Sequence, residues 1–236
     1  DHRELDCFLN QVLGLDCVDD ESVVEPTALD ALRIPPREWV FAHDPPYAYW
    51  VYHLFANLRH LNALRAKLGK TTISFRPHSG ETGDLIHLSS TFLTAESIAH
   101  GIMLRKSPSL QLLFYLEQIG LAISPLSNNR LFVDMHASPF PVFFARGLNV
   151  ALSTDDPLLL HVTKDPLVEE FSVASQLWKL SSTDVCELAR NSVLMSGLEH
   201  PFKRHFLGDK YHVPGVVGND IRCTNVPDVR IAFRHE

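Results

Sequence analysis

Cysteine is scarce in this chain of 236 residues: four stand at Cys7, Cys17, Cys186 and Cys223, with no C-x-x-C pair among them. That pattern argues against a zinc ribbon, a thioredoxin-like motif and a disulfide framework, and it suits free thiols in a reducing, cytoplasmic setting. Glycine (11) and proline (15) are at ordinary levels and no heptad run occurs, which excludes collagen-like, low-complexity and extended coiled-coil classes. Positive charge is also short. With 21 Lys and Arg against 28 Asp and Glu, the formal charge is −7, so no basic field exists to hold a nucleic-acid backbone and no nucleic-acid partner is expected. Apolar runs are broken by Arg, His, Glu or Gly before they reach the roughly 18 to 20 residues of a membrane span, so a soluble chain is expected. No G-x-G-x-x-G or G-x-x-x-x-G-K-[ST] loop is present. The chain opens on Asp1-His2-Arg3 with neither Met nor a signal-like segment, the mark of a piece cut from something longer. An apolar share of 45% with 21% charged residues fits one globular domain or a large part of one. Histidine is in excess at 13 positions, which directs attention to metal or acid/base chemistry.

A short β-branched or apolar run, a polar corner and an amphipathic helix recur four times after residue 70. Thr71-Thr72-Ile73-Ser74-Phe75 leads into Arg76-Pro77-His78-Ser79-Gly80-Glu81 and a helix over about 84–93 with Asp84 as N-cap. Ser97-Ile98-Ala99 leads into His100-Gly101, and Ser107-Pro108 opens a helix expected to run to a terminating Gly120. Leu121-Ala122-Ile123 leads into the corner Ser124-Pro125-Leu126-Ser127-Asn128-Asn129, with a short helix near 139–145 that stops at Gly147. Val150-Ala151-Leu152 leads into Ser153-Thr154-Asp155-Asp156-Pro157 and a helix over about 166–180, with Leu167, Phe171, Ala174 and Leu177-Trp178 on its apolar face. Upstream, residues 11–16 read as a further buried strand closing on Asp19-Asp20-Glu21. A Pro-rich insert over 22–44 leads into a helix over about 46–68, where Trp50, Leu54, Leu58, Leu61 and Leu64 form a stripe that Gly69 ends. A capped helix over about 185–195 follows Ser181-Ser182-Thr183-Asp184, and 219–236 shows no clear period.

Polar residues at the carboxyl end of every strand point to a parallel α/β architecture, where such residues line the barrel mouth or ligand crevice. Unit spacings of about 25 residues suit a (β/α)8 barrel, with an open doubly wound sheet as the rival. Five strands are countable against the eight that a barrel needs, so residues 1–197 are expected to form about strands four to eight, with a long insert and helix over 22–69. Residues 198–236 would be an appended segment packing on the barrel. An incomplete barrel exposes an apolar edge, so the isolated chain is expected to aggregate, misfold or need its missing half. If the corners converge, His78, Glu81, His100, Ser127, Asn128, Asp155 and Asp156 share one mouth. Imidazole and carboxylate there suit a borderline cation such as Zn²⁺ and hydrolytic chemistry, with Glu81 as a general acid or base.

At these residues the sequence resembles the adenosine and AMP deaminase superfamily, and within it the AMP deaminases. Phe75-Arg76-Pro77-His78-Ser79-Gly80-Glu81 is similar to the superfamily's H-x-G-E strand end, Ile98-Ala99-His100-Gly101 to its H-G, and Ser153-Thr154-Asp155-Asp156-Pro157 to its S-T-D-D-P. Longer strings carry the narrower resemblance: Leu104-Arg105-Lys106-Ser107-Pro108, Ser124-Pro125-Leu126-Ser127-Asn128-Asn129, residues 163–170 and 218–222. Val12-Leu13-Gly14-Leu15-Asp16 with Asp19-Asp20-Glu21-Ser22 resembles the fourth barrel strand and the corner after it.

The resemblance implies a metal-dependent, hydrolase-type TIM barrel that converts AMP to IMP and ammonia. It implies that His78 and Asp155 ligate a catalytic Zn²⁺, that Glu81 contacts purine N1 and delivers its proton, and that His100 orients and deprotonates the attacking water. Asp156 would hydrogen-bond the purine near N7, the Gly14 amide would reach the N3 edge, and Pro157, Leu158 and Leu159 would complete the substrate contacts. The family's tetramers imply self-association. Alternatives are adenosine as substrate, or a noncatalytic chain that serves only folding or assembly. Three departures stand out. The family's H-x-H pair of further metal ligands does not occur in this chain, so the polypeptide alone is expected to lack useful activity. Leu159 stands where the family usually has Gln, removing a polar contact typically worth about 1 kcal/mol. Met103 stands where Asn is common. Arg76, Arg105 and Lys106 are basic and close to the expected mouth, as phosphate ligands or as structural ion pairs.

Overall fold

The computed structural model describes residues 2–25 and 33–236. The expected insert over 22–44 therefore lies partly outside the described residues. The chain divides into two compact units, Asp1–Leu113 and Phe114–Glu236.

The first unit is built around the segment 74–79. Helix α1 (Arg3–Leu9) precedes strand β1 (Gly14–Leu15), and helix α2 (Tyr47–Lys67) leads to β2 (Ser74–Phe75) and β3 (His78–Ser79). Strands β1 and β2 pair in parallel, Gly14 opposite Ser74 and Leu15 opposite Phe75. Helix α3 (Leu85–Thr94) then crosses to β4 (Ser97–His100), which is parallel to β3 with His78 opposite Ala99 and Ser79 opposite His100. The N–H groups of Ser74, Arg76 and His78 donate to Leu13, Leu15 and Cys17, while those of Glu96, Ala99 and Gly101 donate to Phe75, Pro77 and Ser79. Segment 74–79 is thus flanked on both sides, and Pro77, which has no N–H to give, divides it into two short strands.

Helix α2 covers this segment. Tyr47, Val51, Leu58, Ile73 and Phe75 form a buried cluster, with Trp50 and Leu54 packed against it; each such side chain contributes about 1.5–3 kcal/mol on burial. The expected stripe holds only in its first half, because Leu61 and Leu64 are exposed. Its continuation is Arg65, which is buried and donates to the Thr71 carbonyl at 2.6 Å and to the Leu9 carbonyl at 3.0 Å. A guanidinium that ties α1 and the 68–73 loop to α2 takes the place the pattern assigned to leucine. Asp84 caps α3 as expected, accepting from the Ile86 N–H at 2.9 Å, and Gly69 adopts φ 66 at the end of α2.

Helix α4 (Pro108–Glu117) spans the boundary between the units. It ends earlier than the sequence suggests: Gln118 takes the left-handed turn (φ 50), and Gly120 opens the next strand rather than capping the helix. In the second unit β5 (Gly120–Ile123) and β6 (Val150–Leu152) pair in parallel, Leu121 opposite Val150 and Ile123 opposite Leu152. The corner after β5 is itself helical, α5 (Pro125–Leu131), with proline at its first position. Helices α6 (Phe140–Ala145), α7 (Pro157–Leu160), α8 (Pro166–Trp178) and α9 (Ser182–Met195) follow. Phe140 stacks on Trp178 at 4.6 Å and Ala174 is fully buried, but Leu167, expected on the apolar face of α8, is largely exposed. Ser181 and Asp184 form a reciprocal capping box on α9.

Residues 198–236 contain α10 (His200–Leu207), α11 (Ile221–Thr224) and α12 (Asp228–His235), the last two within the stretch 219–236 that shows no clear period. Charge anchors α12: Arg230 donates to Glu187 at 2.6 Å and to Asp184 at 2.8 Å, and Arg234 donates to Glu187 at 2.6 Å. Glu187 is nearly enclosed, so Glu187→Ala leaves two arginines without their main acceptor. The expected loss is about 2–3 kcal/mol, read as a lower denaturation midpoint of the complete polypeptide; an unchanged midpoint contradicts the anchoring role.

Candidate metal and acid/base centre

The carboxyl ends of β3 and β4 place three expected residues together. Register sets His78 beside the turn into His100, and the two imidazole rings lie 4.9 Å apart. His100 Nδ1 is 3.4 Å from the Glu81 carboxylate. His100 is almost completely buried and adopts φ 69, a left-handed conformation that a histidine holds only when its surroundings determine it. Gly101 follows at φ 70.

His78 is oriented by a residue that the sequence motifs do not single out. Its Nδ1 lies 2.9 Å from Asp16 Oδ1, at the end of β1. An ionised carboxylate can only accept, so Nδ1 carries the proton and the lone pair of the ring sits on Nε2, the atom a cation takes. A carboxylate behind an imidazole is the usual support of a metal-binding histidine. The donor chemistry at His78 therefore fits a zinc ligand. The Tyr47 hydroxyl donates to the His78 carbonyl and fixes the backbone at the same point. Cys17, one residue on from Asp16, has its thiol pushed up to about 12 by burial and by the charge of Asp16, which disfavours the thiolate.

Behind the strand end lies a buried charged cluster. Glu21 is 5% exposed, and its carboxylate accepts from the Gly80 N–H at 2.7 Å and the Glu81 N–H at 3.1 Å. The same carboxylate lies 2.7 Å from His87 Nδ1, while His87 Nε2 is 3.2 Å from Glu25. The His87 ring stacks on Tyr47 at 4.1 Å. Burial opposes a charge on His87, but the hydrogen bonds and charges of Glu21 and Glu25 outweigh it and raise the imidazole above its ordinary pKa.

In the second unit, Asp155 ends the β6 corner at φ 54 and accepts a 2.6 Å hydrogen bond from the Ser127 hydroxyl. Its backbone is held like that of His100, in a conformation a non-glycine residue seldom adopts. Asp156 is the N-terminal cap residue of α7; its carbonyl accepts from the Leu159 and Leu160 N–H groups. Leu158 and Leu159 are 97% and 76% exposed. Glu170 and His161 form an enclosed pair at 2.9 Å, and Glu170 also accepts from the Leu126 N–H at 3.1 Å. Burial raises the Glu170 carboxyl, with the charge of Asp155 adding to the effect.

His78, Glu81 and His100 thus lie together within the first unit. Gly14 lies opposite Ser74, and Asp16, which follows that strand directly, is the residue that reaches His78. Arg76 donates to the Ser97 hydroxyl at 3.0 Å, a structural contact. The sequence motifs assign no role to Asp16, Glu21 or Tyr47. For the first two, an acidic corner following an apolar strand was the available signal.

Parallel strands joined by helices, with imidazole and carboxylate at their carboxyl ends, define an α/β protein of the kind seen in solved deaminases and amidohydrolases. An adenine deaminase from Arthrobacter aurescens superposes with a TM-score of 0.57 at 25% identity, over 69% of this chain and 47% of its own. An amidohydrolase from Burkholderia ambifaria, solved with bound Zn, superposes at 0.56 with 18% identity, over 69% and 43%. The chain belongs to the AMP deaminase family, whose model matches residues 1–236. A probable AMP deaminase of Oryza sativa subsp. japonica is 58% identical over 235 residues, which is 99% of this chain and 29% of the relative. The chain thus spans under a third of that protein's length.

The raised His87 pKa has a definite pH signature. A histidine whose folded pKa exceeds its unfolded value of 6.5 stabilises the fold fully below that value, and the contribution drains away as pH rises through the folded pKa. The Tm of the complete polypeptide is expected to fall as pH increases above 6.5, and His87→Gln is expected to remove that component. Parallel Tm-against-pH slopes for the two proteins contradict the pairing.

Proposed function

We propose that this chain supplies strands four to eight of a (β/α)8 barrel and the greater part of an active site that deaminates AMP to IMP and ammonia. The observation that carries the reading is the His78, Glu81 and His100 cluster at parallel strand ends within a chain of the AMP deaminase family. His78, with Asp16 behind it, and Asp155, with Ser127 on its carboxylate, would hold Zn²⁺ together with ligands outside these residues. Zinc supplies Lewis-acid chemistry, making hydroxide accessible from water near neutral pH.

The chain's own groups do the rest. Glu81 presents a protonated carboxyl to purine N1 and gives up that proton as the ring accepts a nucleophile at C6. His100 takes the proton of the attacking water and orients it, and its enclosure keeps other water from the ring. Protonating N1 draws electron density from C6 and so eases attack; the proton taken up by His100 then passes to the amino nitrogen, which leaves as ammonia, while the proton of the new C6 hydroxyl returns to the Glu81 carboxylate and the C6 carbonyl of IMP forms. Asp156 holds the purine near N7. The Gly14 amide serves the N3 edge, and Pro157, Leu158 and Leu159 offer further contact surface, Leu158 and Leu159 being exposed. Leu159 forgoes the polar contact that a glutamine would make. A cytoplasmic setting fits four free cysteines, and a homo-oligomer, tetrameric by family likeness, is the expected assembly. Among the described residues no helix is long and apolar enough to cross a membrane.

Ammonia release measured on the complete polypeptide tests this. AMP is expected to be turned over in preference to adenosine, with activity lost to a chelator and restored by Zn²⁺. Activity indifferent to chelation refutes the zinc role, and preference for adenosine refutes the substrate. His100→Ala is expected to abolish turnover with zinc content unchanged; loss of zinc in that variant would make His100 a ligand instead.

A further inference from the structure

We propose that Glu21 is a positioning residue for Glu81, acting through the backbone of the Gly80-Glu81 turn. The inference rests on the reading of Glu81 as the group that faces purine N1. Three independent contacts place Glu21 in this role. Its two carboxylate oxygens take the consecutive Gly80 and Glu81 N–H groups, one each, at 2.7 and 3.1 Å. Such a bidentate grip fixes the peptide plane between them and hence the direction in which the Glu81 side chain leaves the chain. Its main chain also packs closely on the residues that follow: a Cβ on Gly83, which adopts φ 73, would stand 1.9 Å from the Glu21 carbonyl oxygen. Its carboxylate is itself held at 2.7 Å by His87, which Glu25 and the Tyr47 ring secure in turn.

The position matters because Glu81 lies 3.4 Å from His100, and both must meet one small reacting centre. A displacement of about 1 Å at such a group costs on the order of 100-fold in rate. Gly80 at φ 66 is flexible by nature, and a Cβ there would strike Leu88 at 2.6 Å, so the turn must be glycine and needs an external brace. A carboxylate 59 residues upstream supplies it.

The test uses Glu21→Gln and Glu21→Asp in the complete zinc-loaded polypeptide, each alone and combined with Glu81→Gln. In Glu21→Gln an amide N–H₂ group replaces one acceptor and meets a backbone N–H, while Glu21→Asp keeps the charge but withdraws it by one methylene. Both are expected to lower kcat about 10- to 100-fold with KM for AMP changed less than about threefold and zinc content unchanged, assayed well below each variant's Tm. In the Glu81→Gln background neither should reduce single-turnover rates further, because the group they position is gone. A general structural role would instead add its loss in both backgrounds. Wild-type kcat in the Glu21 variants, or losses that multiply with that of Glu81→Gln, overturns the proposal while leaving the role of Glu81 intact. Full activity of Glu81→Gln overturns the reading of Glu81, and this inference with it. Should Glu21→Gln fail to fold, Glu21→Asp decides by the same criteria.

Discussion

The pairing of segment 74–79 with a parallel strand on each side is the constraint on which the first unit depends. Parallel ladders fix register along the whole segment, and a one-residue slip would turn every side chain to the other face. Register sets His78 against Ala99 and Ser79 against His100, while the bond from the His78 N–H to the Cys17 carbonyl brings the end of β1 level with the same point. Asp16 then meets the His78 ring without any search by a flexible loop. Precision of this kind comes from backbone hydrogen bonds, which cost no side-chain entropy at the site itself.

What lies behind the strand end is an unusually charged interior. Glu21 and His87 are both nearly inaccessible, and burial of either alone would be costly. Each satisfies the other, and the remaining acceptor capacity of Glu21 goes to two backbone amides. The cluster braces a turn that glycine at residues 80 and 83 makes both possible and soft. In the second unit, Glu170 with His161 is a comparable enclosed pair beneath the corner that carries Asp155. In each unit one of the residues expected at the site sits in a strained left-handed conformation after a strand, His100 in one and Asp155 in the other. That strain is maintained by well-packed surroundings, as is common at functional sites.

The sequence disclosed features governed by local chemistry. Five strands, each passing to polar residues, followed from runs of Ile, Val, Leu and Phe ending in His, Ser or Asp, and all five are present in parallel pairs. The caps at Asp84 and Ser181 were equally plain, because they need only a side chain two or three residues from the amide that it accepts. Contacts between distant segments were not. Nothing near Gly80 indicates that Glu21 would bind it, and nothing in α2 indicates that Arg65 would replace a leucine in the packed face. Gly120 misled for a related reason: glycine suits a helix terminus and a strand start alike, and Gln118 had already ended the helix. In the tail, α12 is held by arginine pairs with Glu187 that periodicity does not register.

In the proposed site His78 presents Nε2 to a metal, with Asp16 fixing the ring. Zinc stoichiometry of the complete polypeptide, by elemental analysis of the wild type and of His78→Ala, measures this most directly. One tightly held zinc per chain is expected in the wild type, with its loss from the folded variant. Zinc retained at full stoichiometry in folded His78→Ala would refute the role of His78 as a ligand.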